Sequence, residues 1–175
     1  MDDERPPVDG PGDEDGPGTT LQFPSADFPA LSTFRLRAPE GWSAIATADA
    51  VLGIRRDGPT NGGFRPNVLV NVHRLPRTGE PDRDLDRLLD GDHTLPAFEV
   101  VEDEQRSGDA PARWRRIAFL GPEGRSLVAR RLMILVPVSE HYVDVVSAIG
   151  TWPSDGPSDV ERDVESIVGS LQVGR

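Results

Sequence analysis

Residues 132–138 read LMILVPV. In an extended chain, successive side chains point to opposite faces, so a run apolar at every position cannot leave one face wet. This stretch is therefore expected to lie inside a sheet, with a cover on each face. Pro137 must fall near the end of the strand, because it cannot donate to the ladder. One buried strand thus predicts three layers.

The flanking residues supply the rest of the sheet. Strands are predicted over 98–106, 112–120, 126–138 and 141–149. The turn formers SGDAP (107–111) and GPEG (121–124) join the first three as hairpins. Upstream, TFRLRA (33–38) alternates Phe34 and Leu36 with Arg35 and Arg37, the pattern of a half-buried strand. Pro39-Glu40-Gly41 turns the chain, and Trp42 suits the role of anchoring that turn in the core. A further strand is expected over 50–56. After the loop DGPTNGG (57–63), another spans 67–75, where Val68, Val70 and Val72 alternate with Asn67, Leu69, Asn71 and His73.

Two helices provide the covers. DRDLDRLLD (82–90) sets Leu85, Leu88 and Leu89 at helical spacing, with Asp82 as the expected cap and Gly91 as the stop. Near the end, Ser158-Asp159-Val160-Glu161 has the form of a capping box, with Pro157 before it. Val160, Val164, Ile167, Val168 and Leu171 make one apolar stripe. The predicted fold is α+β: an α-β-α sandwich whose mostly antiparallel sheet has about six to seven strands.

Residues 1–18 hold seven acids, one arginine and eight prolines or glycines, and so carry six of the chain's eleven net negative charges. A segment with so little to bury is expected to be disordered. A single domain is expected over 19–175. No run of 18 apolar residues suggests a membrane span. MDDERPPVDG has neither a basic nor an apolar leader region, so a cytoplasmic location is expected.

Composition limits the chemistry. Cysteine is absent and all 19 basic residues are arginine, which removes thiolate and lysine chemistry. A net charge of −11 opposes nonspecific nucleic-acid binding. No G-x-S-x-G, H-E-x-x-H or phosphate-binding glycine loop occurs. His73 and His141 have no evident triad partners, and neither is expected to do chemistry. Asp90, Asp92 and His93 form a compact set of potential metal ligands, but their spacing matches no zinc or calcium motif. No metal or cofactor is expected.

The arginines offer more. A hairpin about GPEG brings Arg113, Arg115 and Arg116 beside Arg130 and Arg131. A hairpin about Asp109 opposes Asp103 to Arg115 and Glu102 to Arg116. A solvated, charge-paired sheet face is the first expectation. The sharper one is that arginines left unpaired form a patch for an acidic protein partner, for which the acidic tail could compete. Asn71 and His73 complete the candidate binding residues.

FRLRAPEGW (34–42), then NVLVNVHRL (67–75) leading to a short helix, more strands and a C-terminal helix, resembles the LpqN/LpqT-type lipoproteins of actinobacteria. These are similar to the wider group of PsbP-like and DcrB-like proteins and the yeast Ran-binding import factor. The recognisable element is F-x-L-x-x-P-x-G-W, carried by Phe34, Leu36, Pro39, Gly41 and Trp42, and the resemblance spans about residues 31–173. It implies an α-β-α sandwich used for binding, as in scaffolds and the Eag chaperones of type VI secretion, with no shared catalytic set. The expected function is thus a non-enzymatic protein-interaction module, an adaptor or chaperone for a secreted or envelope partner. The alternative is a small-ligand or lipid carrier with a pocket between sheet and helix. An unrecognised hydrolase is a third reading.

Overall fold

The structure, a computed structural model, describes residues 24–25, 29–58, 63–107 and 110–174. The chain divides into two units, Met1–Ala30 and Leu31–Arg175. The predicted tail, and any competition by it for arginines, lies outside the described residues. The second unit holds every helix and strand described.

Its nine strands and two helices run in the order β1 (Thr33–Arg35), β2 (Trp42–Ile45), β3 (Leu52–Arg56), β4 (Asn67–Pro76), α1 (Pro81–Leu89), β5 (Glu99–Arg106), β6 (Ala112–Leu120), β7 (Ser126–Pro137), β8 (Tyr142–Pro153), α2 (Ser158–Gly169) and β9 (Gln172–Gly174). Short 3₁₀ turns occupy Asp90–Thr94 and Pro122–Gly124. Seven strands form one sheet in the order β2-β3-β4-β8-β7-β6-β5, every neighbour antiparallel.

The doubly apolar stretch does what its pattern requires. Leu132 packs in the cluster under α2, with Ile134 and Val136 at its margin, while Met133 and Leu135 pack under α1. On the α2 face, Val164, Ile167 and Val168 press on Val68, Val70, Val146 and Ala148, all fully buried. Each such valine or isoleucine taken out of water contributes about 1.5–3 kcal/mol. Gly150 in β8 is what lets α2 approach: a Cβ there would sit 2.2 Å from Val164 Cγ1 and 3.1 Å from Val168 Cγ2. α1 is smaller, resting Leu85 and Leu89 on Met133, Leu135, Val143 and Val145.

The register matches the two predicted hairpins. Glu102 opposes Arg116 and Asp103 opposes Arg115, while Arg115 opposes Arg131 and Arg116 opposes Arg130.

Four local expectations are corrected. The segment predicted as a strand over 33–38 does not join the sheet: only Thr33–Arg35 is extended, and it pairs with β9 in a separate two-stranded ribbon. The sheet's seventh strand is instead β2, whose Trp42 donates its indole N–H to Asp163 Oδ2 at 3.1 Å beneath α2. Four residues are too short a run to display alternation, so only the pairing with β3 identifies them as a strand. The Ser158 capping box does not form. Pro157, which has no side chain able to bond, occupies the cap position, so Ser158 already lies inside the helix, and Glu161 pairs with Arg116. Likewise α1 starts at Pro81, where a missing N–H costs nothing, and Asp82 accepts from Gln105 instead of capping. Nor does Gly91 stop it, since Leu89 is its last residue and the 3₁₀ turn begins at Asp90.

The tightness at Gly150 makes a measurable demand. Gly150→Ala is expected to lower unfolding free energy by about 1–3 kcal/mol through overpacking. Urea denaturation should show a lower midpoint with an unchanged slope.

Candidate functional site

The five predicted sheet arginines do not form one patch, and none is left unpaired among the described residues. Strand alternation sends them to opposite faces. Arg113, Arg115 and Arg131 lie on the α1 side. Arg113 pairs with Asp86 of α1 and with Asp103, Arg115 with Asp103 at 2.9 Å, and Arg131 with Asp92 at 2.8 Å. Arg116 and Arg130 lie on the α2 side. Arg116 reaches Glu161 at 2.6 Å and lies over the Trp152 ring, while Arg130 pairs with Glu102 and lies over Trp114. The arginine hydrogen bonds, Arg113's above all, hold the Asp103 carboxyl below its ordinary range against the opposing effect of burial.

The buried Asp92 carboxylate ties the 3₁₀ turn to the sheet. Arg115 Nη1 sits 3.6 Å from Asp92 Oδ2, an ion-pair distance too long for a hydrogen bond. The same aspartate belongs to the possible metal set of Asp90, Asp92 and His93. Asp92 turns to the arginines, His93 stacks edge-on against Phe98 at 5.1 Å, and the Asp90 side chain lies outside the described residues. Asp92→Asn would leave Arg131 without its countercharge and Arg115 with Asp103 alone. It is expected to cost about 3 kcal/mol. Amide exchange at Leu95, whose N–H donates to the Asp92 carbonyl, should quicken.

A second buried carboxylate secures the start of the unit. Asp144, fully buried in β8, accepts from Ser32 N–H at 2.8 Å and Ser32 Oγ at 2.9 Å. Its cross-strand neighbour Arg74 donates through Nε at 2.8 Å and Nη2 at 3.0 Å. Burial pushes this carboxyl up, but the Arg74 and Ser32 donors outweigh it and hold the pKa below the usual value. Because the folded pKa is depressed, the stabilisation is complete above the unfolded value of about 3.9 and is lost as pH falls through the folded one. Asp144→Asn should therefore destabilise at pH 7 by about 3 kcal/mol. It should also flatten the acid limb of a stability–pH profile measured by urea unfolding.

What remains open is the other half of the α1-side sheet face. α1 covers only the part formed by Met133, Leu135, Val143 and Val145, with Leu75 at its border. Beyond it, β4 presents Asn67, Leu69, Asn71 and His73, half-buried or exposed, beside Ser147, Ile149 and Thr151 of β8. The predicted Asn71 and His73 thus share this surface, whose Ile149 lies opposite Arg131 across the β7–β8 ladder. At its β2–β3 side lies a depression lined by Ile45, Thr47, Arg55, Gly63, Arg65, Asn67 and Leu69. Arg65 also borders a groove of about 300 Å³ at the sheet's end, walled by Phe64, Pro66, Arg125, Pro153, Pro157 and Val160.

Sequence reasoning passed over Arg55 and Arg65. Arg55 opposes Asn67 across the β3–β4 ladder, so the two are on one face. Arg55 is exposed and Arg65 half-buried, and neither guanidinium has an ion-pair partner among the described residues. The signal available was the strand alternation of Ile54 inward and Arg55 outward.

The three histidines are dispersed. His73 lies in the open sheet face, His93 against Phe98, and His141 beside Glu140 in solvent. Among the described residues, no group of three potential metal ligands converges, and no helix is long and apolar enough to cross a membrane.

An antiparallel seven-stranded sheet with one helix on each face defines the class: an α-β-α sandwich. The chain is similar to the solved structure described as LpqN, involved in cell envelope biogenesis, from Mycobacterium tuberculosis. The TM-score is 0.70 at 16% identity, covering 84% of this chain and 86% of that one. No protein-family model and no curated protein matches the sequence.

Proposed function

We propose that this chain is a non-enzymatic protein-interaction module of the LpqN type, an adaptor or chaperone for an envelope or secreted partner. Its working surface is the uncovered half of the sheet. The observation that carries this reading is the mismatch of cover and sheet: α1 is nine residues long and shields one portion of a face that seven strands build. The uncovered portion combines apolar Ile45, Leu69 and Ile149 with amides, hydroxyls and cations, the mixed character of a non-obligate interface. The involvement of the structural neighbour LpqN in cell envelope biogenesis supports the choice of partner. The dispersal of the histidines, none with its ring bonded to a hydroxyl among the described residues, favours binding over hydrolysis.

A small-ligand carrier is the second reading, and the groove beside Phe64 and Val160 favours it. Its concavity lies at the sheet's end, since the space between sheet and α2 is filled by Val164, Ile167 and Val168.

A photo-crosslinking residue placed at Asn71 in cells tests the first reading, with the same residue at Arg162 on the exposed side of α2 as control. A discrete protein adduct at position 71 alone is expected. Equal labelling at both positions would overturn the reading, as would hydrolase activity abolished by His73→Ala or His141→Ala. A co-purified small molecule on native mass spectrometry, with no adduct at position 71, would favour the carrier.

A further inference from the structure

The sheet's two edges are built differently. β5 exposes all eight residues, four of them acidic (Glu99, Glu102, Asp103 and Glu104), and its ladder shifts at a bulge between Val100 and Glu102. Acidic charge and a bulge both oppose addition of another strand. β2, at the far edge, reads Trp42-Ser43-Ala44-Ile45, has no charge, and pairs with β3 in unbroken register. No strand among the described residues pairs with its outer side.

Immediately behind this open edge is the depression that holds Arg55 and Arg65. Ser43 opposes Arg55, and the Ile45 side chain folds over Gly53, so both point to the same uncovered face as Arg55. Among the described residues, the lining of that depression includes two guanidiniums without an ion-pair partner and no carboxylate. The chain as a whole has a net charge of −11, and its β6 and β7 arginines are all ion-paired, so two free cations side by side stand apart. Asp57, two residues beyond Arg55, accepts from Ser43 Oγ at 3.0 Å and does not pair with either arginine.

We propose that the β2 edge receives an extended acidic segment of a partner protein, added as an eighth strand with carboxylates set against Arg55 and Arg65. The proposal rests on the interaction-module reading and names the partner's chemistry. In strand addition, backbone hydrogen bonds supply affinity, and alternate side chains supply selectivity. Every second residue of the added strand points to the same sheet face as Ile45 and Arg55, with Arg65 farther across the depression, so long acidic side chains alternating with apolar-tolerant positions fit this edge. Exposed guanidinium–carboxylate pairs are screened by salt, so the preference for acid is strongest at low ionic strength.

Three synthetic octapeptides, alternating Glu, Lys or Gln with Val, test this on the full chain by NMR titration. The Glu peptide is expected to shift the amides of Ser43–Ile45 and the Nε–H signals of Arg55 and Arg65. Its affinity should fall about tenfold or more between about 50 and 300 mM salt. The double substitution Arg55→Gln, Arg65→Gln should bring a comparable loss, while the unbound spectrum of β4–β8 stays intact. Equal shifts from all three peptides would overturn the acidic preference while leaving the interaction module standing. Shifts confined to β5 and β6 would overturn the site. If phosphatidylglycerol vesicles moved the Arg55 and Arg65 signals and the Glu peptide did not, the occupant would be a membrane surface and the proposal would fail. An adduct at position 71 alongside any of these failures would preserve the broader reading.

Discussion

The burial of β7 and β8 on both faces is the constraint on which the rest of the molecule depends. Two adjacent strands that are apolar at odd and even positions alike need one layer above and one below. α2 supplies the first with a full stripe of valine and isoleucine, and Gly150 lets it sit against the sheet without a Cβ in the way. α1 supplies the second with two leucines. Because the second cover is so much smaller than the first, the two faces end up chemically unequal. One is covered across its centre; the other is covered only over the β7–β8 end. The open surface is thus a consequence of how little of one face a nine-residue helix can reach.

Charge is distributed along the same division. Where helix or turn meets sheet, arginine and carboxylate are paired: Arg113, Arg115 and Arg131 with Asp86, Asp92 and Asp103, Arg116 with Glu161, Arg74 with Asp144. These pairs position α1, the 3₁₀ turn, α2 and the segment at Ser32 over the strands. Pairs of this kind are weak evidence for net stability, because desolvation offsets attraction, but breaking one leaves a buried charge uncompensated. They act as registry elements. On the uncovered face Arg55 and Arg65 have no ion-pair partner among the described residues, and the nearby Asp57 is held by Ser43. The cations that hold the fold together are therefore different residues from those available to a partner.

The central strands, both helices and the two β5–β6–β7 hairpins were legible because each rests on periodicity or turn chemistry within a few residues of its own sequence. LMILVPV, GPEG and the 160–171 stripe are of this kind. β2 was not, since four residues flanked by turns carry no period. β1 misled for the opposite reason: Phe34 and Leu36 alternate correctly, yet they bury against α2's side of the core while the backbone pairs with β9, far along the chain. The Ser158 cap failed because the helix starts one residue early, with Pro157 at the cap, and because Arg116, more than 40 residues upstream, takes the Glu161 side chain the box would need.

The candidate site shows the same limit. The placement of Asn71 and His73 on one polar row was readable from alternation alone, and so was the opposition of Arg115 to Asp103. That Arg113, Arg115, Arg116, Arg130 and Arg131 would divide between two faces was implicit in the same alternation. Their saturation was not, because it depends on Asp86, Asp92 and Glu161 arriving from helices and a turn distant in sequence. By itself, the sequence determined a three-layer sandwich about an antiparallel sheet, since hydrophobic period and turn residues are local properties. Only the tertiary structure decided which strand closes each edge, how far each helix covers its face, and which arginines keep their charge unpaired. Those outcomes turn on which surfaces meet across the fold, and no local pattern encodes that meeting.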